Sequence, residues 1–205
     1  MNFKRQLCVL FCFLTVLSMQ AQDKPSVPKR VYQTQALGDL PSPEIDGLIN
    51  EESWNTVEWT GDYIENQPDE NTPPTEQTKF KIVYDKKFLY FAFKCCDKDP
   101  KGIVKRLSRR DGFEGDWVEV NIDSYHDKRT GFSFTISVSG VKGDEFISDN
   151  GNNWDSSWNP IWYMKTHIDD EGWTAEVKIP FSQLKFGDAK EQVWGLQSTR
   201  RCFRA

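Results

Sequence analysis

Apolar and polar residues alternate along this chain in short runs, and clusters of turn-forming residues separate the runs. In the clearest run, residues 117–123, an apolar residue at every second position alternates with an aromatic or polar one. A period of two is typical of a half-buried strand, in which successive side chains point to opposite faces. Similar or apolar-aromatic runs predict seven further strands, at 31–37, 78–84, 88–94, 130–138, 158–168, 173–179 and 193–200.

The connections between these runs favour antiparallel pairing. The segment 85–87 is short enough to close a hairpin, and the turn 169–172 ends in Gly172, at a place where a positive φ is often needed. Short helical turns are predicted at 51–54 and 180–186. Because the strands do not alternate with helices, the predicted fold is all-β: an antiparallel, immunoglobulin- or jelly-roll-like β-sandwich of two sheets with short helical turns.

The first 21 residues have the layout of a secretory signal peptide. Lys4 and Arg5 precede an apolar run at 7–17, and Ala21 offers a cleavage position. The run is shorter than the ~20 apolar residues that a membrane-spanning helix needs. We therefore expect export to the periplasm, the outer membrane or the cell exterior. Residues 22–40 are predicted to form a flexible leader and the first strand, and 41–205 the sandwich.

Composition narrows the possible partners. A chain of 205 residues fits one medium-sized domain, and its formal charge of −5 argues against a nucleic acid partner. Eight Trp, fourteen Phe and six Tyr favour strands and stacking surfaces. Three cysteines follow the signal. The adjacent Cys95 and Cys96 should point to opposite faces of a strand, and a disulfide from Cys202 to either stays open.

The predicted strand 117–123 places Trp117 and Glu119 on the same outward face. An aromatic ring beside a carboxylate suits a sugar, whose C–H face stacks on the ring and whose hydroxyls need acceptors. Trp154 and Trp158 are further candidates. They share a face if their segment is extended, and either core packing or a stacking platform would explain them.

Acidic residues near the strand ends raise the question of a metal. Asp123 and Asp127 flank a short turn, and Asp144 lies on the next loop, so the three could share a calcium ion, which prefers oxygen ligands. Solvated loop carboxylates are the alternative. Paired carboxylates such as Glu114 with Glu119 are the only catalytic candidates, and no nucleophile elbow, phosphate loop or metalloprotease motif accompanies them. We therefore predict that the domain is not an enzyme.

Five motifs in the right order resemble those of family 9 carbohydrate-binding modules, over about residues 44–201. More closely, they are similar to the family-9-like domain at the N-terminus of large secreted bacterial proteins whose uncharacterised C-terminal part is expected to be an outer-membrane barrel. The motifs occupy 43–47, 51–54, 83–93, 116–123 and 172–180.

The resemblance implies a β-sandwich that grips the reducing end of a cellulose or xylan chain between two tryptophans and carries structural calcium. The family's Trp-Glu-x-Asp segment is represented here by 113–116. Phe113 would then stack on the sugar, with Glu114 beside it, and Glu119 would accept hydrogen bonds from sugar hydroxyls.

Two departures from the family pattern leave alternatives open. Thr135 stands where an arginine is expected, and the second tryptophan of the family lies beyond the strand 194–200, so we expect a sandwich cut short at its C-terminus. One alternative is a structural domain attached to an outer-membrane protein, without sugar binding and in contact with the membrane only through a missing C-terminal region. The other is a module that accompanies a glycoside hydrolase.

Overall fold

Ten strands form two five-stranded sheets in the part of the chain that the computed structural model describes, residues 29–204. The predicted signal peptide lies outside this part. In chain order the strands are β1 Gln35–Ala36, β2 Thr78–Tyr84, β3 Phe88–Cys96, β4 Trp117–Asp123, β5 Gly131–Ser137, β6 Lys142–Ser148, β7 Asn153–Asp155, β8 Tyr163–Asp169, β9 Gly172–Pro180 and β10 Gly195–Arg201. Short 3-10 turns occupy Glu52–Thr56, Pro100–Gly102, Asp149–Gly151 and Phe181–Gln183.

The strand order is β1-β2-β3-β9-β8 in the first sheet and β10-β4-β5-β6-β7 in the second. All neighbours pair antiparallel except β1 and β2, which are parallel. The predicted antiparallel β-sandwich is confirmed. None of the helical turns between residues 29 and 204 has the length or apolarity needed to cross a bilayer.

The main core is built from alternate residues of both sheets. Each central strand contributes every second side chain, which is what the period-two pattern predicts. The fully buried contributors include Phe91, Phe93, Val118, Val120, Phe134, Ile136, Val177 and Ile179. The thiol of Cys95 is buried, those of Cys96 and Cys202 are half-buried, and all three are free.

Two strands were missed by the sequence pattern. β6 carries Lys142 and Asp144 at inward positions where alternation would require apolar residues, and β7 has only three residues. The predicted strand at 158–168 begins only at Tyr163, and the one at 31–37 is reduced to Gln35–Ala36. Tertiary contacts rather than local pattern therefore define the edge of the second sheet.

The outer face of the first sheet is covered by the segment that precedes β2. Leu37, Trp54 and Val57 of this segment pack on Val83 and Tyr90 to form a second, smaller core. The outward face of the first sheet is therefore covered by the residues that precede β2. The outward face of the second sheet carries polar side chains instead.

A buried carboxylate on β9 anchors this covering segment. Glu176, with 0% of its surface exposed, accepts hydrogen bonds from the backbone N–H groups of Asp46 (3.1 Å) and Gly47 (2.9 Å) and from the indole of Trp54 (2.9 Å). Burial raises the pKa of Glu176 to about 7. Gly47 has a φ of 95°, and a Cβ there would lie 2.8 Å from the backbone carbon of Thr166, so only glycine fits.

We predict that Glu176→Gln lowers the free energy of unfolding by about 1–3 kcal/mol, because an amide cannot accept all three hydrogen bonds and leaves a buried donor unpaired. Urea unfolding followed by tryptophan fluorescence measures the change. Glu171→Gln is the matched control, since this side chain is exposed and its ion pair with Lys94 is worth at most about 1 kcal/mol. Equal stability of the two variants would contradict the anchoring role.

Candidate functional site

The outward face of the second sheet has a polar centre. The core residues of β4 and β5 point inward, so the residues between them point outward and line up across β4, β5 and β6. Two cross-strand rows result: Glu119–Thr135–Gly143 and Asn121–Ser133–Glu145. We call these six residues the outer polar face.

Glu119 is held in a fixed orientation at this face. Its Oε1 accepts a hydrogen bond from Asn121 Nδ2 at 2.9 Å, and its Oε2 accepts one from Thr135 Oγ1 at 3.0 Å. Thr135, the residue found where an arginine was expected, is thus a partner of the carboxylate. Each carboxylate oxygen has two lone pairs, so Glu119 keeps acceptor capacity for a ligand hydroxyl.

Two buried polar atoms of the outer polar face have no hydrogen-bond partner. They are Asn121 Oδ1 and Ser133 Oγ, and Ser133 is 0% exposed. Buried polar atoms are nearly always paired in folded proteins. The two atoms therefore have hydrogen-bonding capacity that the folded chain leaves unused.

The ring of Phe113 lies over Gly143 at the border of the outer polar face. A Cβ on Gly143 would lie 2.3 Å from Phe113 Cζ, so the absence of a side chain makes room for the ring. The ring is half-buried, and its centroid is 6.3 Å from that of Trp117. An aromatic surface and the Glu119 carboxylate thus share one face of the sheet, while Glu114 is exposed in the same loop.

A buried carboxylate on the inward side of β6 fixes the loop that carries Phe113. Asp144 forms an ion pair with Arg110 and accepts a hydrogen bond from Trp162 Nε1 at 3.0 Å. Its backbone N–H donates to Asp111 Oδ1 at 3.1 Å, and the N–H of Asp111 donates to the carbonyl of Lys142 at 3.0 Å. The position of the Phe113 ring therefore follows from contacts made by Arg110 and Asp111, which lie just before it in the sequence.

Trp154 and Trp158 lie on opposite sides of the second sheet. Trp154 pairs with Ile147 on the outward side, is 43% exposed, and donates its indole N–H to the carbonyl of Gly151 at 2.9 Å. Trp158 instead packs against the core rings of Phe132 and Phe134, with centroids 5.0 and 5.7 Å away. Since residues 158–162 are not extended as a strand, the shared face proposed for Trp154 and Trp158 does not form, and Trp158 is a core residue.

Asp123, Asp127 and Asp144 do not come together as a metal site. Asp123 accepts hydrogen bonds from the backbone N–H groups of Asp127 and Lys128, whereas Asp144 faces the core on another strand. The oxygens of Asp127 are used by its own turn, where they accept from the N–H groups of residues 129 and 130. These aspartates shape loops, which corrects the predicted calcium ligands.

A different acidic cluster has the geometry of a metal site. Within residues 29–204, the one group of three ligand-type side chains whose ligand atoms lie within 4.8 Å of one another consists of Asp46, Glu51 and Glu176. Carboxylate oxygens are the donors that calcium prefers, so this set fits the ion by its chemistry. It lies under the covering segment of the first sheet, away from the outer polar face.

Glu145 is one of the residues of the outer polar face that the sequence pattern did not single out as ligand contacts. Burial, followed by the carboxylates of Glu119, Asp111 and Asp144, raises its pKa above the ordinary 4.5. Only the register of β6, which sequence periodicity missed, reveals that it faces the same way as Glu119. Beyond Asn121 the face continues into a cleft of about 270 Å³ at the end of the sheet where Asp123, Gly131, Ile147 and Gly195 lie.

A family model and several solved structures match this chain. A family model described as "Carbohydrate family 9 binding domain-like" matches residues 45–200. Among curated proteins, no sequence matches the chain significantly.

Solved structures share the fold. A carbohydrate binding module family 9 from Caldicellulosiruptor kristjanssonii matches in two structures, one in complex with glucose and one in complex with cellotriose. Each has 21% sequence identity to this chain, a TM-score of 0.57 and 83% of this chain covered. The match covers 76% of the module in the glucose complex and 75% in the cellotriose complex. A candidate carbohydrate-binding protein from Bacteroides uniformis ATCC 8492 has 13% identity and a TM-score of 0.54, over 71% of this chain and 72% of that one.

We predict that Glu145 makes stability fall as pH rises. In the unfolded chain this carboxyl loses its proton near its ordinary pKa of 4.5, whereas in the folded protein its pKa is higher. The contribution of Glu145 to the free energy of unfolding is therefore fully present below pH 4.5 and is lost as the pH rises through the folded pKa. Thermal unfolding at a series of pH values should show a smaller decline for Glu145→Gln than for the wild type. Glu70→Gln, at an exposed loop position, is the control. Superimposable pH profiles for wild type and Glu145→Gln would refute the assignment.

Proposed function

Because the chain belongs to the carbohydrate family 9 binding domain-like family, a family of non-catalytic binding modules, we propose that it binds a plant-type polysaccharide or oligosaccharide at the outer polar face. The observation that carries this proposal is the placement of the Phe113 ring and the Glu119 carboxylate on one outward face. The ring supplies a stacking surface for the C–H face of a sugar, and the carboxylate accepts hydroxyl hydrogen bonds.

The unpaired atoms of the outer polar face support the same proposal. A pyranose presents several hydroxyls, each of which both donates and accepts. Asn121 Oδ1 can accept from one of them, and Ser133 Oγ can donate to or accept from another. Binding would thus satisfy buried groups that the folded chain leaves without partners.

We also propose where the domain is located and that it belongs to a larger protein. The layout of residues 1–21 supports export, to the periplasm, the outer membrane or the exterior, as a module of a larger protein. Sugar recognition at the reducing end is part of the proposal, as is association with glycoside hydrolysis through the larger protein. Both rest on the family resemblance, and the titration below tests reducing-end recognition.

A structural domain without sugar binding is the second candidate. One observation favours it: Glu119 already accepts hydrogen bonds from Asn121 and Thr135, so its orientation does not require a ligand. The two candidates differ in a single measurable property, the affinity for oligosaccharides.

We predict that calorimetric titration of the folded protein with cello- and xylo-oligosaccharides gives saturable binding, and that Phe113→Ala abolishes it because the stacking surface is lost. Glu119→Gln should weaken binding about tenfold, the effect expected when a hydrogen bond to a charged acceptor becomes a neutral one. Phe186→Ala, which removes a partly exposed ring that packs against Phe181 and Trp194, should bind like the wild type.

The same titration separates the candidates. Loss of binding when the sugar is reduced at its end would establish reducing-end recognition. A folded protein that gives no heat with any oligosaccharide would favour the structural domain, and unchanged affinity in Phe113→Ala would remove Phe113 from the site.

Structural calcium is proposed at Asp46, Glu51 and Glu176. An ion there would tie the covering segment to β9 and stabilise only the folded state, so chelation should lower the melting temperature. Glu51→Gln should abolish the calcium-dependent shift, whereas Asp123→Asn should retain it. A melting temperature insensitive to both chelator and calcium would count against the ion.

A further inference from the structure

The outward positions of β6 place a second carboxylate in the middle of the proposed binding face. Gly143, Glu145 and Ile147 follow one another on that side of the strand. The Phe113 ring covers Gly143, and Trp154 pairs with Ile147. Glu145 thus lies between the two aromatic side chains, with roughly 7 Å of strand on either side of it.

Glu145 and Glu119 stand on opposite sides of β5. Glu119 is on β4 beside Thr135, and Glu145 is on β6 beside Ser133, so the side chains of one strand separate the two carboxylates. Glu119 is the charged group that most raises the pKa of Glu145, followed by Asp111 and Asp144, so the carboxylates interact across the face. A molecule lying over β5 would meet one carboxylate on each side.

The charges around this position are mainly negative. The outward residues of β10, β4, β5 and β6 include three carboxylates, Glu119, Asp123 and Glu145, and one cation, Arg201. Arg201 belongs to the far strand β10, and its guanidinium lies 4.9 Å from the ring centre of Phe203. Two further cations, Lys128 and Arg129, line the cleft that adjoins the outer polar face at Asn121.

An independent observation indicates that the space between the carboxylates receives a ligand. Ser133, directly beside Glu145, is 0% exposed and its hydroxyl has no hydrogen-bond partner. The neighbouring Asn121 Oδ1 is unpaired as well. A polar molecule that bridges Glu119 and Glu145 would pass over both atoms.

We propose that Glu145 is a specificity-determining residue that, together with Glu119, selects sugar chains by charge. The inference rests on the proposed function and adds to it the class of sugar that is accepted. Neutral chains donate hydroxyl hydrogen bonds to both carboxylates. Chains with uronate groups are rejected by repulsion, and chains with protonated amines are bound most tightly, because a charge-assisted hydrogen bond is stronger than a neutral one.

Three tetrasaccharides with the same β-1,4-gluco backbone test this proposal by calorimetry. Cellotetraose is neutral, the glucosamine tetramer carries amines, and the glucuronate tetramer carries carboxylates. At a pH where the amines are protonated and in low salt, we expect the amine tetramer to bind about tenfold more tightly than cellotetraose and the uronate tetramer about tenfold more weakly or not at all.

Glu145→Gln should bring the three affinities to within about threefold of one another while cellotetraose still binds, since an amide keeps a hydrogen-bond acceptor but removes the charge. Glu70→Gln removes an equal charge from a remote loop and should leave the order unchanged. Near-ultraviolet circular dichroism of each variant establishes that it is folded.

Three results would overturn the proposal. Equal affinities in the wild type would show that charge is not selected, and an unchanged order in Glu145→Gln would assign the selection to other residues. Calcium alone binding at this face, with loss of binding in Glu145→Gln, would make the carboxylates a metal site. If no tetrasaccharide binds the folded wild type, the proposed function itself fails, which is distinct from binding without charge selection.

Discussion

The ion pair between Asp144 and Arg110 is the interaction on which the candidate site depends. Asp144 faces the core from a strand that has little apolar character, and Arg110 and the indole of Trp162 compensate its buried charge. A buried carboxylate without such partners would be strongly destabilising. Because Arg110 and Asp111 are both tied to β6, the residues that follow them are directed over Gly143. The stacking ring is therefore positioned by buried electrostatics rather than by loop length.

The two sheets use their outward faces differently. In the first sheet, the segment before β2 covers the face and is anchored by three hydrogen bonds to Glu176. In the second sheet, alternation leaves hydroxyls, an amide and two carboxylates pointing outward over three adjacent strands. The covered face of the first sheet thus adds stability, and the outward face of the second sheet presents hydrogen-bonding groups. The second sheet can therefore present polar groups to a ligand while the core stays buried.

Periodicity identified the fold and two strands of the site, β4 and β5. Because β4 obeys a strict alternation, Glu119 was placed on the outward face correctly. Periodicity failed at β6, where Asp144 occupies a core position that its partners at 110 and 162 make acceptable. Glu176 escaped notice for a related reason, since its donors come from residues 122 to 130 positions away in the chain. Trp158 was placed on the wrong side because residues 158–162 are not extended as a strand. Glu145 was missed together with β6, because sequence spacing describes a strand's own faces but not which distant groups neutralise a buried charge.

A crystal structure of the protein with a bound cello-oligosaccharide would show whether the sugar lies on the outward face of the second sheet. We expect a pyranose ring stacked on Phe113, with hydroxyls within hydrogen-bond distance of Glu119 and Glu145. A sugar bound instead over the first sheet, or held without contact to Phe113 and Glu119, would contradict this expectation.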